Sequence, residues 1–99
     1  MLDKRDELAI TFGNDKKIYS IGGFGGKNNT CLKSAERLDL KSGKWEYISP
    51  LNICRRALCA VTLPDGIYAI GGFDGVSYLA SIEKYKVVFI NKKYTLFKV

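Results

Sequence analysis

Histidine is absent from the 99 residues, and the three cysteines, Cys31, Cys54 and Cys59, fall at no zinc-ligand spacing. Neither a mixed Cys/His metal site nor histidine-based acid–base chemistry is therefore expected, and no metal or other cofactor is implied. No hydroxyl or thiol has an evident base beside it in the chain, so no catalytic residue is nominated and an enzyme is not expected. Three thiols cannot all pair, and free, mostly buried cysteines suit a reducing compartment. No run approaches the roughly 18 consecutive apolar residues of a membrane span. Residues 1–7 are charged instead of leading into an apolar stretch. Neither secretion nor membrane insertion is expected, and the localisation read from this is cytoplasmic. The sequon Asn28-Asn29-Thr30 matters only in a secreted chain and is read as accidental.

What is present is a hydrophobic fraction of 46%, enough for a core and too high for a disordered chain. The formal charge is +6, with a lysine excess near the end at Lys84, Lys86, Lys92, Lys93 and Lys98. No groove-reading helix or RNA-binding motif accompanies these charges, so they are read as a solvated face and not as a nucleic-acid footprint.

The strongest signal is self-similarity. Lys17-Ile18-Tyr19-Ser20-Ile21-Gly22-Gly23-Phe24 recurs 49 positions later as Gly66-Ile67-Tyr68-Ala69-Ile70-Gly71-Gly72-Phe73. Ser34-Ala35-Glu36-Arg37-Leu38 recurs at a spacing of 47 as Ser81-Ile82-Glu83-Lys84-Tyr85, the second loop being two residues shorter. Turn residues cut the first unit into strands at 8–12, 17–21, 35–39 and 45–49, and the second into strands at 57–62, 67–70 and 81–85. Ala57-Leu58-Cys59-Ala60-Val61 and Ile67-Tyr68-Ala69-Ile70 are apolar at odd and even positions alike. A sheet with one wet face would alternate, so these strands are expected to be covered on both faces.

Paired glycines after an Ile-Tyr-x-Ile strand, a Glu-x-aromatic strand some dozen residues on, and a late tryptophan, at a period of about 50, resemble the kelch family. The first unit carries Gly22-Gly23, Glu36, Leu38 in the usual tyrosine place, Asp39 and Trp45; the second carries Gly71-Gly72, Glu83 and Tyr85. Leu51-Asn52-Ile53-Cys54-Arg55-Arg56 resembles the inter-blade segment, with Cys54 where proline is common. The resemblance implies an all-β chain of two four-stranded antiparallel blades, an incomplete kelch-type β-propeller. The division is 1–7 as an N-terminal segment, 8–53 as the first repeat and 54–99 as the second, with 86–99 divergent.

Lys86 stands where an aspartate is usual, and residues 87–97 replace the expected turn and tryptophan strand. Either residues 94–97 form the fourth strand after a two-residue insertion, or this tail is unrelated to the repeat, as from a truncated or misread frame. Trp45 and Tyr68 are expected to fill blade interfaces, and Glu36 and Glu83 to tie a neighbouring backbone or arginine.

Gly22-Gly23-Phe24-Gly25-Gly26-Lys27 invites comparison with phosphate-binding loops. Ile21 occupies the place of the first glycine of that pattern, Asn28 that of the magnesium-binding hydroxyl, and no helix is expected to follow, so nucleotide binding is not implied. Kelch propellers that are copper oxidases use histidines with no counterpart here.

The family resemblance instead implies protein binding through loops on one propeller face: residues 27–32, 74–79 and 52–56. Arginine and tyrosine most often anchor interfaces, which nominates Arg55, Arg56 and Tyr78, with Asn28, Asn29, Asp74 and Ser77 as polar support. The alternative roles are a blade-glutamate partner for either arginine and a core position for Tyr78. At the level of the family, the role implied is substrate recognition for a cullin-type ubiquitin ligase; actin scaffolding uses the same fold, and a catalytic propeller ranks below both. Two blades leave two outer faces bare, so the remainder of a propeller, or further copies of the chain, is expected to cover them.

Overall fold

Short runs of β-branched and aromatic residues, punctuated by Gly, Asn and Asp, set the chain into strands and turns throughout. The computed structural model describes residues 1–99. The strands are β1 (Arg5–Asp6), β2 (Ala9–Phe12), β3 (Ile18–Ile21), β4 (Phe24–Gly25), β5 (Thr30–Cys31), β6 (Ala35–Asp39), β7 (Lys44–Ile48), β8 (Cys59–Leu63), β9 (Gly66–Ile70), β10 (Ile82–Ile90) and β11 (Lys93–Lys98). Two antiparallel four-stranded sheets form, in the orders β2-β3-β6-β7 and β8-β9-β10-β11. These are the two expected blades. A third, small sheet, β1-β4-β5, joins the N-terminal segment to the long loop of the first blade, where no strands are expected from the sequence.

The tail supplies the fourth strand of the second blade. β10 runs on to Ile90, turns at Asn91 and Lys92, which adopt φ of 51° and 63°, and returns as β11 with Tyr94 opposite Phe89 and Leu96 opposite Val87. The expected start of the second unit's first strand at residue 57 moves to Cys59. Ala57 has φ of 52°, outside the β region, and its repeat counterpart Glu7 has φ of 51°.

The blades pack through one shared core, in which Ala9, Tyr19, Ile21 and Ala35 of the first meet Leu58, Ile67, Ala69 and Tyr85 of the second, with Leu51 between them. Polar atoms at this seam are paired across it. The Thr11 and Thr62 hydroxyls lie 2.8 Å apart, Asn14 Nδ2 donates to Leu63 O, and the Tyr85 hydroxyl donates to Ser49 O. Coverage is one-sided for the second blade. Tyr19, Ile21 and Ala35 are wholly enclosed, whereas their repeat counterparts Tyr68 and Ile70 are half-buried and Ile82 is 57% exposed.

Two expectations about burial are not met, in part because the second blade's outer side is uncovered. Cys59 is exposed and Cys31 and Cys54 are half-buried, so the thiols are free but not mostly buried. Tyr68 and Trp45 are likewise only half-buried; Trp45 sits on β7, the edge strand of its blade, and the enclosed aromatics at the seam are Tyr19 and Tyr85.

A buried ion pair is repeated in both blades. Arg5 Nη2 lies 2.9 Å from Glu36 Oε2, while its Nη1 donates to Gly22 O and Ser34 O at 2.9 and 2.7 Å. Fifty residues on, Arg55 Nε donates to Glu83 Oε2 at 3.1 Å and its Nη1 to Gly71 O and Ser81 O at 3.0 and 2.8 Å. The glutamates also accept backbone N–H bonds: Glu36 from Leu2 and Asp3, Glu83 from Asn52 and Ile53. Each glutamate thus ties both a backbone and an arginine. Residues 2–5 dock on the first blade as 52–55 dock on the second.

The paired glycines serve this docking. Gly23 and Gly72 have φ of 103° and 98°, and a Cβ there would stand 2.5 Å from Asp6 O and 2.7 Å from Arg56 O. Only glycine admits both that torsion and that approach.

Glu83→Ala strands the Arg55 guanidinium and two backbone N–H groups, and is expected to cost about 3–5 kcal/mol in chemical denaturation. Asp65→Ala, which removes an exposed partner of Lys84, leaves the midpoint unchanged.

Stability also depends on pH at both ends. Burial alone would raise the Glu83 carboxyl, but the Asn52 N–H, Lys98, Arg55 and the Ile53 N–H together hold it below the ordinary range. Its contribution is therefore complete above an unfolded-state value of about 4.3 and is lost as pH falls through the lower folded value. Burial raises the Tyr19 and Tyr85 hydroxyls, so their contribution is complete below about pH 10 and is lost above it. Denaturation midpoints across pH should show a plateau that falls at both ends, and Glu83→Gln should flatten the acid limb.

Candidate protein-interaction face

The end of the blades opposite the β2–β3 and β6–β7 turns is assembled by backbone bonding between segments remote in sequence. Leu32 N donates to Gly23 O, and Leu79 N donates to Gly72 O, folding each post-glycine loop back on its own blade. Between the blades, Arg55 N donates to Leu32 O at 3.1 Å and Gly23 N to Arg55 O at 2.7 Å. Arg56 and Phe73 exchange two backbone bonds of 2.9 Å, and Phe73 also bridges to Tyr78. Loops 27–32 and 74–79 and segment 52–56 therefore form one continuous surface.

The seven nominated residues separate on this surface. Arg55 is fully enclosed, and its guanidinium is consumed by Glu83, Gly71 and Ser81. It is corrected from a binding residue to a structural one, because no part of its side chain is left for a partner. Arg56, the next residue, faces outward. Its guanidinium lies 4.2 Å from the Phe24 ring centroid and pairs with Glu7. Tyr78 is 89% exposed, its ring tilted against Phe73 at 5.1 Å, so it is not a core residue.

Asp74 caps its own loop, Oδ1 accepting the Val76 and Ser77 N–H bonds at 2.8 Å each. The Ser77 and Val76 N–H groups hold its carboxyl below the ordinary range. Asp74 and Ser77 therefore shape the loop that presents Tyr78. Asn28 and Asn29 are exposed at the tip of the first blade's loop, Asn29 in a turn with φ of 49°. Asn29 lines a cavity of 170 Å³ with Lys4, Asp6, Phe24, Gly25 and Gly26.

Sequence reasoning missed Glu7 and Phe24, which hold Arg56, and Val76, which is 87% exposed beside Tyr78. An apolar residue at a loop tip was a readable signal for Val76. Glu7 had none, because its role depends on the fold bringing residues 7 and 56 together. No three Cys, Asp or Glu side chains converge as a metal ion would require. The surface can offer an aromatic face, a stacked cation and amide groups.

Two antiparallel four-stranded sheets packed face to face through one core are the arrangement of consecutive β-propeller blades. The Kelch motif matches residues 14–52 and again 54–89, and the chain belongs to the kelch family. It is 36% identical over 61 residues to Kelch-like protein 4 of Homo sapiens, covering 59% of this chain and 8% of that protein. It is 29% identical over 85 residues to Kelch-like protein 7 of Rattus norvegicus, covering 86% and 14%. It is 33% identical over 79 residues to Kelch repeat and BTB domain-containing protein F47D12.7 of Caenorhabditis elegans, covering 76% and 13%. The chain thus spans 8–14% of the length of these relatives. It is a kelch-repeat module of the protein-interaction kind.

Replacing Arg55 by alanine should destabilise the fold by about 3–5 kcal/mol, since it leaves Glu83 buried with Lys98 as its one remaining cationic partner and frees the carbonyls of Gly71 and Ser81. Tyr78→Ala should stay within about 0.5 kcal/mol, as an exposed site does. Parallel urea titrations of the two variants check the division between structural and surface residues.

Proposed function

We propose that residues 27–32, 52–56 and 74–79 bind a protein partner, with Arg56 and Tyr78 as anchors. The observation that carries this reading is the pairing of Arg56 with Phe73, which holds a stacked arginine and an almost fully exposed tyrosine on one surface built from both blades. Arginine and tyrosine are enriched among residues that dominate binding energy. Val76 extends the apolar area, and Asn28, Asn29, Asp74 and Ser77 contribute the polar rim and the loop shape.

The half-exposed Tyr68, Ile70 and Ile82 support completion of the propeller by further blades, from a longer chain or from other copies. In such an assembly the face would serve as the substrate-recognition part of a cullin-type ubiquitin ligase, one of the roles that the family resemblance implies. The reducing cytoplasm is the compartment that suits its free thiols.

The test places a photo-crosslinking amino acid at Lys27, exposed in the first loop of the face, identifies the protein joined to it, and then measures that protein's affinity for the unmodified chain and for Arg56→Ala/Tyr78→Ala. Loss of at least about tenfold, or about 1.4 kcal/mol, supports the reading. Equal affinity for the variant refutes it. Ubiquitin transfer to the same protein, with and without the double substitution in the ligase assembly, tests the finer role.

A further inference from the structure

Two of the three thiols meet at the seam between the first blade's loop and the segment that leads into the second. Cys31 Sγ lies 3.6 Å from Phe73 O, and Cys54 Sγ lies 3.5 Å from Asp74 O. The two carbonyls belong to adjacent residues, and the Cys31 thiol interacts directly with the Cys54 side chain. The backbones are joined independently: Leu32 and Arg55, each the residue immediately after one of the cysteines, share a 3.1 Å hydrogen bond. Both side chains are half-buried and so remain reachable by a small oxidant. Cys59 is the remaining thiol, exposed on β8.

We propose that Cys31 and Cys54 form an oxidation-sensitive dithiol that closes to a disulfide under hydrogen peroxide, stapling loop 27–32 to segment 52–56. One thiolate attacks the O–O bond, giving a sulfenic acid and releasing water after protonation. The second sulfur then displaces the sulfenic oxygen as a second water. Two thiols and one peroxide thus yield one S–S bond and two waters, with the sulfurs oxidised and the peroxide oxygens reduced. Burial first, then contact with Cys54 and the charge of Asp74, push the Cys31 thiol up to about 12 against the opposing pull of Arg56. The Cys31 thiolate fraction at neutral pH is small, so attack on peroxide by Cys31 is slow there and accelerates as pH rises.

The consequence for recognition rests on the binding role proposed above, because the bond would freeze two of the three segments of that face. The bond itself is read without any partner. The full chain carrying Cys59→Ser is treated with hydrogen peroxide and mapped by peptide mass spectrometry. The expected result is loss of both free thiols in monomeric protein and a Cys31–Cys54 linked peptide. Sulfinic or sulfonic products without that peptide, or intermolecular bonds alone, overturn the proposal.

Phenylarsine oxide, which bridges neighbouring thiols without an oxidant, supplies a second reading. One equivalent should bind Cys59→Ser and none should be retained by Cys31→Ser/Cys59→Ser or Cys54→Ser/Cys59→Ser. Failure to bind Cys59→Ser, or equal retention by all three, refutes the adjacency. If the linked peptide forms but partner affinity is unchanged, the dithiol stands and its bearing on recognition falls.

Discussion

The buried arginine–glutamate pair is the interaction on which the arrangement depends. A guanidinium and a carboxylate removed from water are costly unless nearly every donor and acceptor is met. Here the requirement is met largely by backbone. Arg5 takes the carbonyls of Gly22 and Ser34, Arg55 those of Gly71 and Ser81, and each glutamate takes two N–H groups from the segment that carries its arginine. The pair thereby fixes where the chain leaves one blade and enters the next. Glycines at 23 and 72 are needed because the docked segment passes too close for any side chain.

The same contact positions the candidate interaction face. In extended backbone, successive side chains point to opposite sides. With Arg55 drawn inward to Glu83, Arg56 is turned outward over Phe24, and its backbone is left free to pair with Phe73. That pairing in turn sets the loop that carries Tyr78. Structural and recognition roles are therefore divided between two adjacent arginines, and a change at the inner one disturbs the outer one even without touching a partner.

Burial is distributed unevenly for a simple geometric reason. The first blade has the second on one side and residues 1–5 against part of the other, where Met1 reaches Ser20 and Leu2 and Asp3 reach Glu36. The second blade has a covering sheet on one side only. Identical positions in the repeat therefore differ: Ala35 is enclosed and Ile82 is open, Ala9 is buried and Cys59 exposed. The apolar-on-both-faces pattern of β8 and β9 describes strands meant to lie between two neighbours.

Much of this was legible in the residues. The Gly22-Gly23 and Gly71-Gly72 repeats, the Glu36 and Glu83 positions and the turn residues were enough for two four-stranded blades, because strand periodicity and glycine placement are local properties of the chain. The replacement of the expected tryptophan strand by β11 was legible only as one of two alternatives, since its pairing partner, residues 86–90, departs from the repeat as well. Residues 2–5 gave no signal of their equivalence to 52–55, because only Arg5 and Arg55 are shared and the backbone hydrogen bonds that define the equivalence carry no side-chain signature. Which of Arg55 and Arg56 lies inside, whether Tyr78 is core or surface, and that Cys31 faces Cys54 were decided by tertiary structure alone. Each is a matter of which side of an extended strand or loop meets a neighbour distant in sequence, and composition and spacing do not contain that information.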